Sequence, residues 1–206
     1  MSINKRHLSF SIFLPFFPYY VYNTNMIEKK PYIRVNLPFT QKESKDLLSL
    51  SFNEEIKERM EKTIEKEAPI RRTLLYKRVI NSFGILKVGS RLLSLFDSIS
   101  SELTNRTSED YDGETVFHAT EDEDFFRPSP ESDDRYSYQI PSREAASCIL
   151  YILENSEKQS LTKSQLYKEF IKEMEWEKSG NAIEKLFSAA LSDARIKRSG
   201  NGRILK

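Results

Sequence analysis

Residues 75–96 read LYKRVINSFGILKVGSRLLSLF, and residues 166–187 read LYKEFIKEMEWEKSGNAIEKLF. The two stretches align without a gap at an offset of 91 residues. The identical positions include Leu75-Tyr76-Lys77 on Leu166-Tyr167-Lys168, Ile80 on Ile171, Lys87 on Lys178, Gly89 on Gly180 and Phe96 on Phe187. Self-similarity at so long a period predicts two copies of one small domain rather than a solenoid of short repeats.

Hydrophobic spacing predicts three helices in each copy. In the first copy, one helix begins near Phe52 and ends before Ala68-Pro69. A second ends at Gly84, as helices often do at glycine, and a third begins near Val88. The second copy repeats this order, with apolar positions in residues 145–152, 166–171 and 183–191.

A short hairpin is predicted after each third helix. In the first copy we expect strands at Thr115–Ala119 and Phe125–Phe126, joined by the acidic turn Glu121–Asp124. In the second, residues 195–199 and 203–206 flank Gly200-Asn201-Gly202, a strong hairpin signal. The predicted fold class is therefore mainly α with short β-hairpins (α+β). The element order predicts two tandem winged helix-turn-helix-like units, in which the third helix reads a nucleic-acid groove and the hairpin is the wing.

The predicted boundaries are an N-terminal extension (1–50), a first unit (51–127), a linker (128–141) and a second unit (142–206). The apolar run Leu8–Tyr22 follows basic residues, but Pro15 and Pro18 interrupt it and no signal cleavage site follows. We therefore expect a partly disordered extension and a cytoplasmic protein with no membrane contact. An alternative is that translation starts at Met26.

The composition excludes several kinds of site. The chain has 206 residues, with 32 Lys+Arg and 31 Asp+Glu, so the net charge of +1 does not itself indicate nucleic-acid binding. The single cysteine, Cys148, excludes a disulfide framework and a cysteine-rich metal site. Two histidines and six glycines leave no multi-imidazole site and no phosphate-binding glycine loop. We expect no enzyme, no catalytic residue, no metal, no cofactor and no small-molecule substrate.

Candidate phosphate contacts lie where the third helices begin, at residues 87–91 and 178–182. A lysine and a glycine at a helix N-terminus allow close approach of a phosphate to free backbone N–H groups. The alternative is that the glycines only permit a tight turn and the lysines are solvated. The C-terminal wing carries five cations without an intervening acid, which suits DNA backbone contact, or else serves only solubility. A further basic cluster, Arg71, Arg72, Lys77 and Arg78, begins the first unit's second helix. The predicted nucleic-acid-binding set is Lys87, Ser90, Arg91, Lys178, Asn181, Arg195, Lys197, Arg198 and Arg203.

Eleven acids between Glu109 and Asp134 oppose this basic character, offset there by Arg127 and Arg135. They either compete with nucleic acid for the basic surfaces or form a solvated spacer. Trp176 is expected at the edge of the core rather than as a base-stacking platform, and Cys148 is expected to be a buried small hydrophobe.

Several of these motifs together resemble the domain of unknown function 3320. The residues that carry the resemblance are Glu67-Ala-Pro-Ile70, residues 75–80, Phe83-Gly84-Ile85, residues 88–91, and Ile140-Pro141 before the second copy. In that family the third-helix motif reads roughly Arg-x-Gly-x-Arg. Lys87, Gly89 and Arg91 match it in the first copy. The second copy keeps Lys178 and Gly180 but has Ala182. The resemblance covers about residues 54–206.

The resemblance implies a bacterial, helicase-associated context. Such domains sit at the C-terminus of large superfamily-1 helicase proteins, after a Vsr-like nuclease segment. This chain has neither the helicase's Walker motif nor the nuclease residues, so we expect that tail standing alone. The first functional hypothesis is a non-enzymatic DNA-binding accessory module. The alternative is a protein-protein interaction module that docks onto a helicase or nuclease partner. Basic residues gathered on one face would favour DNA, whereas an exposed apolar patch would favour a protein.

Overall fold

The computed structural model of the protein describes residues 26–119, 124–129, 135–200 and 202–205. In chain order, the elements are β1 (Glu28–Lys29), α1 (Asn53–Glu67), β2 (Ile70–Arg71), α2 (Arg72–Ser82), α3 (Ser90–Ser101), β3 (Thr107–Glu109), β4 (Thr115–Phe117), β5 (Phe125–Phe126), α4 (Ser142–Asn155), β6 (Ser160–Leu161), α5 (Lys163–Glu173), α6 (Asn181–Ala190) and β7 (Ile204–Leu205). Short 3-10 turns occupy Asp46–Leu48, Leu50–Phe52 and Ser137–Gln139. The predicted class, helices with short strands, is confirmed.

The first unit consists of α1–α3 with β2–β4. Its helices form where the apolar spacing predicts them, because Ile56, Met60 and Ile64 put one stripe of α1 wholly inside the core. Pro69 follows a cis peptide bond and separates α1 from β2. Leu47, from the turn before α1, is also in this core. The strands form an antiparallel sheet in the order β2-β4-β3.

The predicted first hairpin is wrong. β4 pairs with β3 on one side and β2 on the other, while β5 pairs in parallel with β1. The partner β3 is short and fully exposed, so it carries no hydrophobic signal. Phe126 turns instead into the second unit's core beside Ile27. The residues Glu121, Asp122 and Glu123 of the predicted turn lie outside the described residues.

The second unit consists of α4–α6 with β6 and β7. Its core gathers the apolar faces of the three helices, including Ile149, Phe170 and Phe187. The predicted C-terminal hairpin is present in short form: Arg198 bridges Ile204, and Leu205 donates to the Lys197 carbonyl at 3.0 Å. The sheet continues from β7 to β6. Asn201 and Lys206, which belong to the predicted hairpin, lie outside the described residues.

Residues 26–50 and the predicted linker are largely built into the molecule. Ile27 enters the second core, and residues 30–42 run as an irregular arm. In the linker, Ser129 and Ile140 are buried. Residues 1–25, with the Leu8–Tyr22 run, and residues 130–134 lie outside the described parts. Among the residues that the structure describes, no helix is both long and apolar enough to cross a membrane.

A buried ion-pair network joins the two units. Glu144 of α4 accepts hydrogen bonds from Arg127 at 2.8 Å and from Arg135 at 2.9 Å. Arg127 also donates to the Glu67 carbonyl oxygen at the end of α1, at 2.9 Å. Burial would raise the pKa of Glu144, but the two guanidinium groups outweigh it and lower that pKa to about 2. The charge of Glu144 therefore ties the second unit to the first.

A second ion-pair cluster fixes the β3–β4 turn. Arg71 is 1% exposed and pairs with Asp110 at 3.6 Å, with Glu114 at 3.0 Å and with Asp112. Asp110 also accepts hydrogen bonds from the backbone N–H and hydroxyl of Ser142, where α4 begins. These three acids therefore do not belong to a solvated spacer. They are structural partners of a buried arginine. Glu131, Asp133 and Asp134 lie outside the described residues.

Candidate nucleic-acid interface

The third helices, α3 and α6, each bury one face and expose the other. In α3 the buried residues are Leu92, Phe96 and Ile99, and in α6 they are Ile183, Leu186, Phe187 and Ala190. The predicted contacts at both N-termini, Lys87, Ser90, Arg91, Lys178 and Asn181, are all exposed. The fold therefore presents the two repeated N-terminal segments to solvent.

The glycines that precede these helices are not required by the local backbone. Gly89 has φ −78° and Gly180 has φ −167°, conformations open to any residue. No atom lies within 4 Å of the position a Cβ would take at either one. Gly84, by contrast, has φ +74° and does need glycine. The interpretation of Gly89 and Gly180 as tight-turn glycines is therefore wrong.

The N-termini of α3 and α6 also differ from those of α2, α4 and α5 in how they are capped. Thr162 caps α5 by accepting from the Gln165 N–H at 3.3 Å. Glu114 accepts from the Thr73 N–H of α2 at 2.8 Å, and Asp110 does the same for α4. Gly89 and Gly180 have no side chain that could cap. The N-terminal N–H groups of the third helices are thus without a cap from the preceding residue and are available to an external anion.

The surroundings of the two N-termini differ at three exposed positions. In the first unit these positions are Leu86, Val88 and Leu93, which are 86%, 36% and 41% exposed. The equivalent positions in the second unit are Glu177, Ser179 and Glu184, all exposed. The first unit therefore surrounds its cations with an apolar edge, whereas the second surrounds them with polar and acidic groups.

Arg195 does not lie on the free wing surface that its sequence position predicts. Its guanidinium pairs with Asp124 at 2.6 Å and Asp193 at 2.9 Å, and donates to the Arg143 carbonyl oxygen at 3.1 Å. Burial raises the pKa of Asp193, but the hydrogen bonds from Arg195 outweigh it and lower that pKa. Arg195 thus holds its segment against α4 through the Arg143 carbonyl oxygen. Its guanidinium is already paired with two carboxylates.

Of the other three predicted wing contacts, one is held within the unit and two are exposed. Arg203 donates to the Ser160 hydroxyl at 2.7 Å and carbonyl oxygen at 3.1 Å, and so holds β7 against β6. Lys197 and Arg198 are exposed, although one nitrogen of Arg198 donates to the Leu191 carbonyl oxygen at 2.6 Å. Two of the four predicted wing contacts therefore face solvent.

The predicted basic cluster on α2 is mostly not a surface cluster. Arg71 and Arg78 are buried, and Arg78 pairs with the equally buried Glu67 at 3.1 Å. Arg72 pairs with Asp97 at 3.2 Å. Lys77, half-buried, lies over the ring of Tyr136. Arg72 and Arg78 thus join neighbouring helices, whereas Arg71 joins β2 to the β3–β4 turn.

Sequence reasoning missed two charged side chains, the Glu144 carboxylate that joins the two units and the exposed Lys185. Glu144 carries no sequence signal, because a carboxylate in the first turn of an amphipathic helix is ordinarily a solvated or dipole-stabilising group. Lys185 lies on the exposed face of α6, in a shallow groove with Asn181 and Ser188. Its spacing on an amphipathic helix predicts exposure, but not a role.

Two further predictions are confirmed, and one kind of site is not found. Trp176 is 7% exposed, and its indole N–H donates to the Ser129 carbonyl oxygen at 2.8 Å, so it belongs to the core edge. Cys148 is fully buried, which raises the pKa of its thiol. Across the described parts of the chain, no group of three or more His, Cys, Asp or Glu side chains is arranged to hold a metal ion.

Comparison with known proteins identifies one family. Residues 46–94 match the model of a family described as protein of unknown function (DUF3320). No curated protein and no solved structure matches the chain. The matched residues include Glu67-Ala-Pro-Ile70 and the third-helix motif Lys87, Gly89 and Arg91. The predicted resemblance to the domain of unknown function 3320 family is confirmed over this range, residues 46–94.

Proposed function

We propose that the protein is a non-enzymatic DNA-binding accessory module made of two tandem winged helix-turn-helix units. The first unit has the order helix, strand, helix, helix, strand, strand, with the early strand β2 beside the last strand β4. The second unit repeats it, with the early strand β6 beside β7. This order supports a winged helix, in which the third helix and the hairpin face the nucleic acid.

One observation carries the proposal: both third helices begin at an exposed glycine that neither the backbone nor packing requires, two residues after an exposed lysine. A side chain at Gly89 or Gly180 would stand between the helix N-terminus and an approaching group. A phosphate that accepts from the free N–H groups needs that close approach, and Lys87 or Lys178 adds charge beside it. The same arrangement recurs at equivalent positions of both units, which supports a common ligand.

Exposed candidate contacts on both units support the proposal. The first unit offers Lys87, Ser90 and Arg91, and the second offers Lys178, Asn181, Lys197 and Arg198. Few of these side chains suit bidentate contact with base edges, so backbone contact and weak sequence preference are expected. Arg195 and Arg203 act here as supports of the wing rather than as contacts.

Titration of the full chain into fluorescent duplex DNA at several salt concentrations tests this function. We expect affinity to fall steeply as salt rises, because each neutralised phosphate releases counterions. The variant K178E/R198E should bind more weakly and with a smaller salt slope. The control K62E changes charge on α1, where Lys62 pairs with Glu58, and should bind like the wild type. No binding at low salt would refute the DNA-binding proposal.

The apolar edge of the first unit favours a second candidate function, docking onto a protein such as the helicase or nuclease that the family resemblance suggests. Leu86 is 86% exposed and Leu93 is 41% exposed, beside Lys87 and Arg91. Exposed leucines around two cations suit a partner that carries both apolar and acidic groups. The double variant L86S/L93S should leave DNA affinity unchanged if this edge faces a protein, and lower it if the edge rests on DNA.

A further inference from the structure

The exposed tyrosines of the described residues lie around one place, where the two units meet. They are Tyr111, Tyr136 and Tyr138, which are 44%, 52% and 53% exposed. The rings of Tyr136 and Tyr138 stack on each other, with centroids 5.6 Å apart and planes within 6° of parallel. Neither ring belongs to the two hydrophobic cores, so core packing does not explain the pair.

The backbone beneath this pair is held firmly. The 3-10 turn Ser137–Gln139 contains Tyr138 and directly follows Tyr136, and the Gln139 side chain accepts from the Tyr136 N–H at 2.9 Å. Gln139 is 3% exposed, and the next residue, Ile140, is fully buried. The buried Arg71 donates to the Tyr138 carbonyl oxygen at 2.7 Å. Two exposed rings are therefore presented on a fixed support, which lowers the entropy lost when they bind a flat ligand.

A cation lies beside the stacked pair. The Lys77 ammonium is 5.4 Å from the centre of the Tyr136 ring, over its face. Among the described residues, the ring that stacks on Tyr138 is that of Tyr136. A flat ring added on Tyr138 would continue the stack.

We propose that Tyr136 and Tyr138, with Lys77 over the Tyr136 ring, form a stacking platform for an unpaired base of single-stranded DNA. This inference rests on the proposed function and names its substrate: DNA that contains unpaired bases, not duplex alone. Base stacking on aromatic side chains tolerates any sequence, because every base has a flat face. That agrees with the few base-edge contacts offered by the third helices.

Tyr111 does not belong to the platform and provides a matched control. It lies within 5.6 Å of the Arg71 guanidinium, but its chain neighbours are Asp110 and Asp112. Asp112 keeps 42% of its side chain exposed, so its charge opposes a phosphate there. A tyrosine of equal chemistry, exposed to a similar degree but placed beside carboxylates, separates stacking at one site from a general effect of surface tyrosines.

The test compares a fluorescent oligothymidine with a duplex and with an abasic oligomer of the same phosphate number, all titrated with the full chain. We expect the double variant Y136L/Y138L to bind oligothymidine about 5- to 100-fold more weakly than the wild type. Its affinity for duplex and for the abasic oligomer should not change. The variant Y136F/Y138F, which keeps both rings, should retain binding. Because Tyr111 lines the groove of Asn181 and Lys185, the control Y111L should keep the wild-type ratio of oligothymidine affinity to abasic-oligomer affinity. Because the altered side chains are exposed, the thermal unfolding midpoints should match.

Several outcomes would overturn the platform without touching the proposed function. These are duplex binding with no binding of oligothymidine, equal affinity for oligothymidine and the abasic oligomer, or unchanged oligothymidine affinity in Y136L/Y138L. The last would instead indicate that the tyrosines face a protein. Failure of the wild type to bind any of the three oligomers at low salt would overturn both the platform and the DNA-binding function.

Discussion

The two units place their positive charge on different elements. In the first unit, Lys87 and Arg91 begin the third helix, and the β3–β4 turn is acidic and tied to Arg71. In the second unit, Glu177 and Glu184 offset the lysines around the helix N-terminus, and the exposed cations of the wing are Lys197 and Arg198.

Under the proposed function, the first copy would meet a phosphate with the cations of its helix, and the second with Lys178 at its helix and the cations of its wing. A shared backbone fixes where charge can be displayed, but not which of those positions carries it.

The largest expected effect tests whether the two units form one folding body. In the variant E144A, Arg127 and Arg135 lose their buried counter-ion, so unfolding should become easier by about 3–5 kcal/mol. Urea unfolding followed by circular dichroism measures this change, and the exposed E184Q on α6 is the control. A single transition is expected, because Arg127 binds both Glu144 and the Glu67 carbonyl oxygen. Two separate transitions would show that the units fold independently.

The same carboxylate predicts how stability depends on pH. The pKa of Glu144 is about 2 in the folded protein, below its ordinary value of 4.5. A carboxyl with a lowered folded pKa stabilises the protein above its unfolded pKa, and this contribution disappears as pH falls toward the folded value. About 3 kcal/mol of stability should therefore disappear between roughly pH 5 and pH 2. The variant E144Q should show a flatter profile over that range. An unchanged profile would mean that other groups govern acid unfolding.

The buried helix faces could be predicted from the sequence, whereas the pairing of the exposed strands could not. All six α-helices were predictable, because each places apolar residues on one stripe at helical spacing. The first hairpin was not, since β3 is polar and exposed, and β5 pairs with β1 from the distant N-terminal arm.

The candidate site shows the same limit. The positions at the third-helix N-termini were predictable from the repeat, and all are exposed. The fate of Arg195 was not, because its partner Asp124 is 71 residues away in the chain. The stacked pair Tyr136 and Tyr138 also needs the structure, since the pair forms where the extended Tyr136 meets the 3-10 turn that contains Tyr138, a junction that the sequence does not show.

Charge reversal compares the two approaches to DNA directly. The variant K87E/R91E removes the cations of the first unit's helix, and K197E/R198E removes those of the second unit's wing. Log affinity falls as log salt rises, and each double variant should make this slope less steep by about two, one for each phosphate that is no longer neutralised. The single variant K178E should make the slope less steep by about one. Fluorescence anisotropy with duplex DNA measures the slopes. If only one double variant changes the slope, one unit alone contacts the backbone.

The smallest expected change in stability belongs to the glycines that begin the third helices. G89A and G180A should each change the free energy of unfolding by less than about 0.5 kcal/mol, because neither φ is positive and a Cβ meets no atom within 4 Å. Affinity for duplex DNA should nevertheless fall, since a methyl group would stand where a phosphate approaches the helix N–H groups.

The control G84A should do the reverse. It should destabilise by about 1 kcal/mol or more at its φ of +74°, where a Cβ would also collide with Gln41, and spare DNA affinity. If G89A and G180A bound DNA like the wild type, the phosphate site would not lie at these helix N-termini, and the charges of helix and wing would have to account for binding alone.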